Sequence, residues 1–115
     1  MSEPKLVIYD NQDQPIAWSK FGVLWGSKSD DRLGEFYGSE IYDNEKEVVA
    51  RLVKDEVLDP VGNCLGYIIE KNVPGRNTSE FEIIIGGFFV GKCHYEKLLA
   101  AAALALLGPV LVKNT

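Results

Sequence analysis

Cys93-His94-Tyr95-Glu96 is the densest run of reactive side chains in this sequence. His94 is the only histidine, so any imidazole acid–base or nucleophilic step must pass through it. A Cys–His pair acts as nucleophile and base only when the two meet in space beside an oxyanion hole and an orienting third group. Neighbouring residues on a helix point in different directions, so adjacency in sequence builds no such site. A free cysteine is most often a small buried hydrophobe. Cys93 and His94 are where a small enzyme or ligand-binding protein would place its chemistry. Without a complete constellation around them, the expectation is a non-enzyme with no catalytic residue.

The other chemistry-bearing positions read similarly. Asp10, Asp43 and Asp59 recur at matching places, which invites a ring of oxygen ligands. An Asp at a turn entry, however, ordinarily accepts backbone N–H bonds from two residues on. Asp10-Asn11-Gln12-Asp13 and Asp30-Asp31 lack the alternating ligands, Gly and terminal Glu of a calcium loop. Gly86-Gly87 and Gly91 lack the spacing of a phosphate or dinucleotide loop. Cys64 and Cys93 make neither a disulfide framework nor a zinc site. No cofactor and no metal are therefore expected. The net charge of −5, with 12 scattered basic residues, argues against nucleic acid and against an anionic membrane surface. The opening Met1-Ser2-Glu3-Pro4-Lys5 shows no basic region followed by an apolar stretch, which predicts a reduced, cytoplasmic protein in which the Asn77-Thr78-Ser79 sequon has no role.

The elements that must position these residues come from a repeat. Three stretches share an apolar residue, an Asp, five linking residues, an apolar residue, a small residue and one more: Tyr9-Asp10 to Ile16-Ala17-Trp18, Tyr42-Asp43 to Val49-Ala50-Arg51, and Leu58-Asp59 to Leu65-Gly66-Tyr67. A repeat of this length is one supersecondary unit that stacks on its neighbours. Val, Ile and Tyr flanking Asn, Asp, Pro and Gly linkers read as hairpins over roughly 5–19, 39–54 and 55–70. A degenerate unit over 22–36, with Gly26 in the Asp slot and one extra linker residue, makes four. The Ile/Val-Tyr-Asp openings and Ala/Gly-aromatic closings of residues 5–70 resemble the four-fold beta-flower domains of bacteria. That resemblance implies a compact pseudo-symmetric sheet of hairpins and no catalytic residues.

After residue 70 a polar loop leads to Phe81-Glu82-Ile83-Ile84-Ile85, one further strand, and then to an Ala/Leu-rich helix starting near Lys92 and stopped by Gly108-Pro109. The predicted fold is mainly β (α+β), a single domain over 1–115: hairpin repeats at 5–70 forming a sheet or partly closed barrel, then a strand and C-terminal helix within 80–112. Trp18, Trp25, Phe36, Tyr37 and Tyr67 are expected to supply core rather than a binding groove. The run Leu98–Val112 is apolar on every side and must be buried on every side. Its 15 residues reach about 22 Å, short of a ~30 Å hydrocarbon core, so membrane spanning is not favoured. Part of the helix is assigned to the core and part to a symmetric interface carried by Leu98, Leu99, Ala102, Ala103 and Leu106. The function this implies is a non-catalytic interaction module that forms homo-oligomers, as a dimer, and binds a further protein partner. The alternatives are a membrane-associated factor using the apolar C-terminal segment, or a ligand site at Cys93 and His94.

Overall fold

The computed structural model describes residues 6–27, 31–72, 75 and 79–113. Asp30 and Asn77-Thr78 lie outside the described residues. Among the described residues ten antiparallel strands follow one another: β1 (Leu6–Asp10), β2 (Pro15–Lys20), β3 (Val23–Gly26), β4 (Arg32–Tyr37), β5 (Glu40–Tyr42), β6 (Val48–Val53), β7 (Glu56–Leu58), β8 (Cys64–Asn72), β9 (Ser79–Ile85) and β10 (Phe88–His94). Each pairs with the next, and β1 pairs with β10, so the meander closes into a barrel. Helix α1 (Lys97–Lys113) returns through its interior, touching strands on all sides except β2 and β3 to any extent.

Every slot of the repeat has a mechanical meaning. The residue two before each Asp slot pairs directly with the small residue across its hairpin: Ile8 with Ala17, Leu24 with Gly34, Ile41 with Ala50, Val57 with Gly66. All eight face inward and are buried. The hairpin over 22–36 is thus a full member of the series. A fifth hairpin, β9–β10, carries the same pair as Ile83 and Gly91. Large and small residues therefore alternate strand by strand around the whole barrel. In the first four hairpins the apolar slot (Ile16, Leu33, Val49, Leu65) is the bulge residue skipped by the ladder beside each pair. Bulges bend the strand and sharpen its twist, which a closing sheet needs.

The registers also set the bore. Leu24, Ile41, Val57 and Ile83 each face the residue two beyond the small one of the preceding hairpin, and Gly91 faces Asp10. Two residues of stagger at each of five junctions, on ten strands, give a barrel radius of about 9 Å at an ordinary strand tilt. Packed helices sit 8–10 Å from their neighbours, so one slim helix fills this bore. Ala100–Ala103 make α1 slim, and all four are fully buried. The fit is tightest where the wall is glycine. A Cβ on Gly66 would fall 2.7 Å from Leu104 Cδ1, on Gly34 2.8 Å from Leu106 Cδ1, and on Gly91 3.0 Å from Leu111 Cδ2. Burial of Leu99, Leu104, Leu107 and Leu111 contributes about 1.5–3 kcal/mol each.

Two features differ from the sequence expectation. Phe88–His94 is a strand, so α1 begins at Lys97 rather than near Lys92, because Gly86 and Gly87, both at positive φ, turn β9 back into a tight hairpin. At its other end α1 runs through Gly108-Pro109 to Lys113. Pro109 forfeits one backbone hydrogen bond, but continuing the helix seats Leu111 against Gly91 with no exposure.

Candidate functional site

The repeat decides where Cys93 and His94 point. Cys93 is two beyond the small residue Gly91, the slot held in other hairpins by Ser19, Phe36, Leu52 and Ile68, and it faces the core with no exposure. Its Sγ lies 3.5 Å from the Glu96 carbonyl oxygen. Burial, with Glu96 nearby, pushes its thiol far above the usual range, the reverse of what a nucleophile requires. His94 is the next residue on the strand and faces the other side of the wall. The two side chains are not brought together.

His94 instead joins an outer network. Its Nε2 lies 3.6 Å from Glu80 Oε1, which also meets Lys92 Nζ at 3.4 Å; Lys92 reaches on to Asp13 at 2.8 Å. Asp13, with Glu80, holds the Lys92 ammonium above its usual pKa against the opposing effect of burial. Beside this network lies a recess of about 130 Å³ between β1 and β10, lined by Leu6, Val7, Tyr9, His94 and Tyr95.

The three repeated Asp residues are turn formers. Asp10 Oδ1 accepts from Gln12 and Gln14 N–H at 2.8 and 3.0 Å, Asp43 Oδ1 from Glu45 and Glu47 at 2.9 and 3.0 Å, and Asp59 Oδ1 from Val61 and Asn63 at 3.0 and 2.8 Å. The third residue on is left-handed in each: Asp13, Lys46 and Gly62. Among the described residues no group of three His, Cys, Asp or Glu is placed to hold a metal ion.

The aromatic residues divide by slot. Phe36 is core. Trp18 and Trp25 stack on the outer wall, centroids 5.5 Å apart and 12° from parallel, while Tyr37 and Tyr67 are exposed. The expectation that all five build the core is corrected for the last four. The helix already fills the bore, and these four occupy outward positions.

Of the helix residues expected to self-associate, Leu99, Ala102 and Ala103 lie buried inside the barrel, and Leu98 and Leu106 are half-buried. The part of α1 that reaches the surface is further along. Ala105, Gly108, Pro109 and Val112, spaced as one helix face, look into an open groove of about 360 Å³ closed on its other side by Leu65 and Ile85. Phe88, the ladder partner of Ile85, is 68% exposed, and Val110 and Val112 are nearly half exposed. Sequence reasoning missed this mouth because α1 is apolar on all faces, so the 105/108/109/112 stripe has no polar background to stand against. Among the described residues no helix is long and apolar enough to cross a membrane. Comparison of the chain with protein-family models, with curated proteins and with solved structures finds no match in any of the three.

Proposed function

We propose that the protein is a small non-catalytic assembly module that self-associates through its C-terminal segment, using the apolar mouth of the barrel rather than the enclosed part of α1. One observation carries this reading: Pro109, Val112 and Leu65 are exposed together on a groove lined by apolar residues, with Phe88 exposed beside the Gly86-Gly87 turn that follows Ile85. With the neighbouring Val61, 86% exposed in the β7–β8 turn, they present on the order of 500 Å² of largely apolar surface, near the upper end for a patch on a monomer. A standard interface takes ~800 Å² from each partner, so turn residues around the mouth must add to it and the dimer is weak and concentration-dependent. A second copy is the partner of matching chemistry, its own mouth apposed across a two-fold axis.

Size-exclusion with light scattering over a wide concentration range tests the reading. The native chain should shift from monomer toward dimer as concentration rises. Val112→Lys, which places a charge where it would have to be desolvated, should abolish the shift without lowering the melting temperature. A native chain that stays monomeric up to millimolar concentration refutes it.

A further inference from the structure

The barrel wall is not equally closed all the way round. β8 and β9 stay paired from Tyr67–Ile84 to Asn72–Ser79. The junctions from β3–β4 to β7–β8 hold three pairs each, and between β1 and β10, the seam joining the first strand to the last, the described ladder holds only two, Tyr9–Lys92 and Asp10–Gly91. Both strands continue beyond that point, to Leu6 and His94, yet the register is not extended, and the recess described above opens between them. Directly behind it lie Ile8 and Cys93, both fully buried. What spans the seam on the outside is Lys92, a β10 residue held by Asp13 of the β1–β2 turn and by Glu80 of β9.

We infer that the β1–β10 seam is a lateral gate in the barrel wall, latched by Lys92 to Asp13 and Glu80, and that it opens without global unfolding. Local openings begin where cross-strand pairing is shortest and most solvent-accessible, and among the described residues the β1–β10 ladder is the shortest in the barrel. Tyr95, at the foot of the gate, is a non-glycine residue at φ +74° and adds strain at the joint between β10 and α1. Opening would uncover Cys93 and the first turns of α1, a face distinct from the proposed dimer mouth, and the inference does not depend on that proposal.

Cys93 provides the readout. In a Cys64→Ser background, which removes the exposed thiol, labelling of Cys93 by a thiol reagent should depend on urea far less steeply than global unfolding does. The amides of Leu6–Ile8 should exchange faster than those of β4 and β6. Lys92→Met and, independently, Asp13→Asn should each raise the Cys93 labelling rate about three- to fivefold while the urea midpoint moves little, the size of effect expected for loss of a surface ion pair. Asp13 is largely exposed, so its variant folds even if the Lys92 variant does not. If Cys93 reacts only at the rate and urea dependence of global unfolding, or if both variants change labelling no more than they change overall stability, there is no gate.

Discussion

Replacing Gly66 by Ala tests whether α1 is seated against the wall as described. Gly66 lies on β8 without positive φ, so alanine suits its backbone, and the reduced freedom of the unfolded chain would by itself favour the variant by about 0.5–1 kcal/mol. The added Cβ, however, would meet the Ile84 carbonyl oxygen and, at 2.7 Å, Leu104 Cδ1. The carbonyl belongs to the β8–β9 ladder and cannot withdraw without breaking the sheet, and Leu104 is only 3% exposed in a filled bore. Overpacking costs about 1–3 kcal/mol, and with a backbone carbonyl and a core side chain both in the way the upper part of that range applies, leaving a net loss of about 1–2 kcal/mol. For a domain of this size that is a fall of roughly 5–10 °C in melting temperature. Thermal and urea unfolding followed by circular dichroism measure it. Adding Leu104→Ala should give a double variant less destabilised than the sum of the two singles, because one of the two collisions is gone. A Gly66→Ala protein as stable as the parent, or more so, would mean that the wall at this point has room to spare, and the account of the glycines as the helix's seat would be wrong.

Further expectations concern the bore and the turns. Leu99→Ala opens a cavity where the barrel cannot collapse and should cost about 2–5 kcal/mol in urea unfolding, whereas a surface helix would lose far less. The backbone and side-chain hydrogen bonds from Asn63, with those from Val61 and Gly62, hold the Asp59 carboxyl below its usual pKa. A depressed folded-state pKa gives stability that is fully present above the unfolded value and lost as pH falls through the folded one. The melting temperature should therefore fall between pH 5 and pH 3, and Asp59→Asn should flatten that slope; an unchanged slope would remove Asp59 from the acid response.

Sequence and structure divide the explanation in a physically intelligible way. The repeat in Asp10, Asp43 and Asp59 was legible because turn chemistry is local: a carboxylate, two N–H groups and one left-handed residue lie within five positions. The large–small pairing was half legible. The small slot was visible as Ala17, Ala50 and Gly66, but its reason at the glycines was not, since the partner that demands smallness at Gly34 and Gly66 is a helix about 40 to 70 residues away. The fifth hairpin escaped notice because its two-glycine turn needs no Asp, and Gly91 therefore stood outside the pattern. Cys93 and His94 are adjacent in sequence, and it is strand alternation that sends them to opposite sides of the wall.

The C-terminal segment draws the clearest line. Its composition alone required burial on every side, because an Ala/Leu run without a polar stripe has no face to give to water. What would bury it was beyond the sequence, as core, interface and membrane all satisfy that demand locally. The tertiary structure decided it through register: a two-residue stagger at each of five hairpin junctions sets a bore one slim helix wide, and only the last turns of that helix reach the surface.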